Sequence, residues 1–71
     1  LERMWQPKVT LHGSLATVSA PYDFHRDRVF SHCGTDVFTM VRSRGEWRIT
    51  HVVYTTQRQG CAPSPLGSPG V

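Results

Sequence analysis

The sequence predicts a four-stranded antiparallel β meander, one face of which is apolar enough to need a second layer against it. Three observations carry this expectation. No segment repeats its apolar residues at the period of a helix. Val, Thr, Phe, Tyr and Ile are abundant between Val9 and Tyr54. Turn-forming residues interrupt that stretch at His12-Gly13, Arg26-Asp27-Arg28 and Arg44-Gly45.

Taken in order, Leu1 to Trp5 read as the end of a helix stopped by Pro7, which has no N–H to give. The strands that follow are expected to run for about 6, 11, 14 and 12 residues. A two-residue turn at His12-Gly13 pairs Leu11 with Ser14 and Val9 with Ala16. For the middle hairpin, a two-residue loop would put Phe24 and Phe38 on opposite faces. A three-residue loop of Arg26, Asp27 and Arg28 is therefore expected, pairing Phe24 with Phe30 and Tyr22 with His32. A two-residue turn at Arg44-Gly45 pairs Arg42 with Trp47, Met40 with Ile49 and Phe38 with His51.

Side chains alternate along a strand, so this register decides which residues share a face. One face gathers Trp5, Val9, Leu11, Val18, Tyr22, Phe24, Phe30, Phe38, Met40, Trp47, Ile49 and Val53. The other carries Cys33, Thr35, Val37, Val41, Val52 and Tyr54. His32, Asp36 and His51 fall on the apolar face, Cys33 points away from them, and His25 beside a turn reads as exposed. The Pro/Gly/Ser-rich "GCAPSPLGSPGV" divides the chain into a sheet portion, 1–58, and an extended or disordered tail, 59–71.

Seventy-one residues bound one small domain with a modest core. Eight Lys and Arg against five Asp and Glu give a net charge of +3. Those basic residues are scattered among turns, whereas nucleic-acid binders gather such charge on one face, so no nucleic-acid partner is expected. No run approaches the ~20 apolar residues of a membrane span. Two cysteines make no disulfide framework. With Cys33 mid-strand and Cys61 in the tail, free thiols and a reducing, cytoplasmic setting are the simpler expectation. The chain begins at Leu1 directly in foldable sequence. It reads as part of a longer domain, its apolar face covered by helices N-terminal to it or by a second copy in a homodimer.

The stretch from Glu2 to Leu66 resembles the C-terminal half of nuclear-transport-factor-2-like domains, a group with a cystatin-like fold. Its nearest look is to SnoaL-like and lumazine-binding bacterial members. The residues that carry the resemblance are Gly13-x-Leu15-Ala16, Ala20-Pro21-Tyr22-Asp23-Phe24, His32-Cys33-Gly34-x-Asp36-x-Phe38, and Gly45-x-Trp47-x-Ile49 closing on Tyr54-Thr55. Arg28 departs from the pattern, standing where a glycine is more usual. The resemblance implies an α+β cone in which N-terminal helices lie on a curved sheet, with a ligand pocket on the concave face between them. This chain would supply the sheet and lack the helices, with no activity by itself. The implied ligand is a small, mostly apolar molecule with a few polar handles, held by Tyr22, His32, Phe38, Met40 and Val53, with no cofactor.

Two kinds of chemistry compete with simple binding. His32, Asp36 and His51 are ligand types for zinc, but no Cys-x-x-Cys or His-x-x-x-His spacing accompanies them, and no metal is expected. Asp36-Val37-Phe38-Thr39-Met40 resembles the strand of ketosteroid isomerase that carries a protonated aspartic acid. Such an acid donates a hydrogen bond to a developing oxyanion because apolar surroundings disfavour its ionisation. That likeness implies Asp36 and His51 as catalytic residues of an isomerase-, dehydratase- or cyclase-type enzyme. The remaining alternatives are a dimerisation module and a buried polar pair that merely satisfies itself.

Overall fold

The structure, a computed structural model, describes residues 1–69. Five antiparallel strands form one sheet: β1 (Glu2–Met4), β2 (Lys8–His12), β3 (Leu15–Arg26), β4 (Val29–Ser43) and β5 (Glu46–Tyr54). The order across the sheet is β1-β3-β4-β5, and β2 lies beside β3 on the same side as β1. No helix occurs among the described residues.

The segment expected to end a helix is instead the strand β1. Glu2, Arg3 and Met4 pair with Phe24, Asp23 and Tyr22. β1 and β2 are one edge of the sheet interrupted at Trp5–Pro7, where Gln6 takes a φ of 47°. Two prolines explain the break. The N–H and C=O of a strand residue point to the same side, and the Pro21 carbonyl accepts from Trp5 N–H at 3.3 Å. The return bond of that pair, from the Pro21 nitrogen to the Trp5 carbonyl, cannot form because Pro21 has no N–H, and the ladder resumes only at Lys8.

The first hairpin turns at Gly13-Ser14, with His12 opposite Leu15. This is two residues away from the expected pairing, and an even slip leaves every side chain on its expected face. The middle hairpin corrects the expected three-residue loop. Asp27 and Arg28 form a two-residue turn with φ of 51° and 69°, so Arg26 pairs with Val29 and His25 with Phe30. Ser31 is then an extra residue, a β-bulge, and Phe24 comes opposite His32. Phe30, expected beside Phe24, belongs with His25 on the other face; their rings meet edge to face at 5.7 Å.

A second bulge corrects the last hairpin. Arg42 pairs with Trp47 and Met40 with Ile49, but Thr50 is extra, and beyond it Thr39 pairs with His51 and Phe38 with Val52. The Thr50 hydroxyl donates to the Thr39 carbonyl at 3.1 Å and so occupies the gap in the ladder. One added residue turns the remainder of β5 over. Val52 and Tyr54 move to the face of Asp36 and Phe38, while His51 and Val53 move away from it.

Cys33 and Cys61 are joined in a disulfide, which corrects the expectation of free thiols. After β5 the chain runs on beside β4: Thr55 N–H donates to the Thr35 carbonyl, and Cys33 and Gln57 exchange backbone bonds at 2.8 and 2.9 Å. It then crosses beneath the sheet, where Cys61 meets Cys33. An Arg3 guanidinium bond to the Gly67 carbonyl, 2.8 Å, holds it further along. Gly70 and Val71, the last positions of the expected tail, lie outside the described residues.

The core is thin and runs along β3. Among the described residues only Ala16, Ala20 and Tyr22 are buried apolar residues, while Leu11, Trp47, Ile49 and Val52 are exposed. The apolar face is thus open over most of its area.

Candidate functional site

The open face has an indented region near the middle of β4. Glu2, Tyr22, Phe24, His32, Asp36 and Tyr54 line a cleft of about 270 Å³ there. The strand alternation explains the grouping. Glu2 pairs with Phe24, Phe24 with His32, and Asp36 with Tyr54, so these five side chains and Tyr22 all leave the same face.

Tyr22 is the floor of this cleft. It is 2% exposed, and its hydroxyl donates to the Thr55 carbonyl at 2.7 Å. The residue opposite it is Gly34. A Cβ at Gly34 would run into the Thr55 carbonyl oxygen and the Tyr22 ring. Glycine at this position is what allows the tyrosine to lie across the strand and reach the next one. The rings around Tyr22 are arranged by the same packing. His32 stands edge-on to it at 5.8 Å, Tyr54 edge-on at 6.4 Å, and Phe24 stacks on His32 at 5.1 Å. His32 Nδ1 also shares a 2.9 Å hydrogen bond with the Ser31 hydroxyl on the bulge.

Asp36 is 4% exposed, and its Oδ2 is buried without a hydrogen-bond partner. Burial first, then the neighbouring Glu2 carboxyl, push the Asp36 carboxyl up to about 6. No Lys or Arg lines the cleft to offset these two acids.

Of the residues singled out from the sequence, Tyr22, His32 and Asp36 are brought together. Phe38 and Met40 share their face, half-buried, but do not line the cleft. Val53 pairs with Val37 on the opposite face, so the bulge removes it from the expected lining. His51 leaves in the same way. It pairs with Thr39, not Phe38, and is exposed, so the expected Asp36–His51 pair does not form. Among the described residues no group of three His, Cys, Asp or Glu side chains is placed to hold a metal ion.

Sequence reasoning missed Glu2, assigned to a helix end, and Tyr54, assigned to the other face; Phe24 was on the right face but not singled out. One signal for Tyr54 was available. The apolar alternation Trp47, Ile49 resumes as Val52, Tyr54, a slip of one position that a bulge explains.

The opposite face has its own polar cluster under the crossing chain. Arg3 clasps Asp23 through two bonds, 3.1 and 2.7 Å, and holds its carboxyl below the usual range. His25, expected to be exposed, is 8% exposed beside them, with Nδ1 3.8 Å from Asp23, too far for a hydrogen bond. A cavity of about 540 Å³ lies between this cluster and the crossing chain. Here the acid is already matched by its arginine, unlike the acids of the Asp36 cleft.

No family model matches the chain, and no curated protein or solved structure matches it either.

Proposed function

We propose that this sheet binds a small molecule on its apolar face, in the Tyr22–Asp36–Tyr54 cleft, as part of a nuclear-transport-factor-2-like domain of the α+β class. The observation that carries the reading is the buried, unpartnered Asp36 oxygen in a cleft walled by aromatic rings. Buried polar atoms in folded proteins nearly always find a partner. An apolar concavity with a few convergent polar groups is the usual form of a small-molecule site. The family part of the reading rests on the sequence resemblance and on the antiparallel sheet with one open apolar face.

The test is a backbone-amide NMR titration with two probes that share an aromatic body, 2-phenylethanol and 2-phenylethylamine. Saturable shifts from at least one probe, concentrated at Tyr22, Phe24, Asp36 and Tyr54, are expected. Their absence with both probes would remove the binding reading.

The raised Asp36 carboxyl favours a second reading, acid–base catalysis of the isomerase or lyase kind. A carboxyl near 6 exchanges its proton readily close to neutral pH. In that reading its working partner is Glu2, since His51 lies on the other face.

A further inference from the structure

The Asp36 cleft has a chemical character that narrows what it accepts, given the binding role proposed above. Four features converge. Two carboxyl groups from different strands, Glu2 on β1 and Asp36 on β4, both line it. Asp36 Oδ2 is an acceptor with nothing donating to it, on a side chain 4% exposed. The rings of Tyr22, Phe24 and Tyr54 surround the same space. And no Lys or Arg lines it, although Lys and Arg outnumber Asp and Glu in the chain by eight to five.

We propose that the cleft is a site for an organic ammonium ion, a protonated primary or secondary amine carrying an apolar body. Its N–H groups donate to the unpartnered Asp36 oxygen and to Glu2, charge-assisted bonds that are stronger than neutral ones. Its positive charge also meets the negative faces of the aromatic rings. A neutral ligand of the same shape leaves the two acids to face one another, and an anion is repelled by them. A metal ion is disfavoured on separate grounds, because the described His, Asp and Glu side chains do not converge to ligating positions. The small cleft volume, about 270 Å³, matches an amine of one ring and a short linker.

Asp36 must give up its proton for the cation to be held fully. The titratable groups facing it are Glu2 from β1, Tyr22 from β3, His32 from its own strand and Tyr54 from β5. With the Asp36 carboxyl near 6, amine binding should strengthen between pH 5 and pH 7.5.

The experiment compares 2-phenylethylamine with 2-phenylethanol, its neutral near-isostere, by NMR titration of the oxidised chain at both pH values. The amine is expected to bind about tenfold tighter at pH 7.5, with the advantage shrinking at pH 5. Asp36→Asn should abolish the amine's advantage over the alcohol. Glu2→Gln, at an exposed position where folding is not at risk, should reduce it as well. Equal affinities for the two probes would overturn the ammonium assignment and leave small-molecule binding standing. Silence from both would remove the two together. Amine shifts that centre away from Asp36, or an undiminished advantage in Glu2→Gln, would also overturn the assignment.

Discussion

Asp36 lies in the cleft to which β1, β3, β4 and β5 all contribute side chains, and its ionisation is coupled to folding. The folded-state value, about 6, lies above the ordinary 3.8. Between those values the folded protein keeps a proton that the unfolded chain has lost. Stability from this group is therefore greatest below about pH 4, falls as pH rises to 6, and is level beyond. The shift of about two units corresponds to about 3 kcal/mol across that window if Asp36 alone titrates. Asp23 acts in the opposite sense, because Arg3 holds its carboxyl below 3.8. Its contribution is present above about pH 4 and is lost as pH falls through its lowered folded value. Urea midpoints measured from pH 3 to 8 should accordingly peak near pH 4 and decline towards 6. In Asp36→Asn the decline should flatten while the acid-side loss remains. A variant with an unchanged slope between pH 4 and 6 would show that Asp36 does not carry it.

At the scale of elements, the decisive features are two bulges and one covalent link. Ser31 and Thr50 each add a residue to one strand of a pair, and each turns the side chains beyond it to the other face. The bulge at Thr50 brings Tyr54 to Asp36 and removes His51, so it determines the composition of the cleft. The disulfide works on the opposite side. It closes a loop with a sequence separation of 28 and holds residues 57–67 beneath the Arg3–Asp23–His25 cluster. A crosslink over such a loop restricts the unfolded chain and is ordinarily worth about 2–4 kcal/mol. Cys61→Ser should lower stability by that order. It should also raise amide exchange at Gln57 and Gly67, whose contacts depend on the crossing. Oxidised wild type and Cys61→Ser with the same urea midpoint and exchange pattern would show that the bond does not fasten this segment. Bonds of this kind persist in oxidising surroundings, so their presence removes the argument that joined free thiols to a reducing compartment.

For the whole molecule, the main physical fact is one well-formed sheet with too little covering it. Leu11, Trp47, Ile49 and Val52 stand on the open face with 40–64% of their surface exposed. Each such side chain is worth about 1.5–3 kcal/mol when fully buried, which favours any layer that seats on them. A second copy of this chain offers the same surface, and self-association is the expected outcome in solution. Sedimentation at increasing concentration should show dimers or larger species, and Ile49→Lys should shift the distribution towards monomer. A compact monomer at every concentration would remove both the homodimer and the need for a cover.

The antiparallel meander, the turn positions within a residue or two, and the shared face of Tyr22, His32, Asp36, Phe38 and Met40 were determined by the sequence alone. Alternation is a local property, and β3 against β4 is long enough that even an error of two residues keeps the faces in phase. Three things were decided only by the tertiary structure. Leu1–Trp5 became an edge strand because β3 offered it backbone partners, which so short a segment cannot signal. The faces of Phe30, His51, Val53 and Tyr54 depended on single-residue bulges, whose cost is set by strand twist and by packing across the sheet. Cys33 met Cys61 only because the chain after β5 crosses the underside, a path chosen by contacts distant in sequence. Local preference is nearly indifferent to a slip of one residue. The assembled sheet is not, because one residue exchanges the buried side for the exposed one.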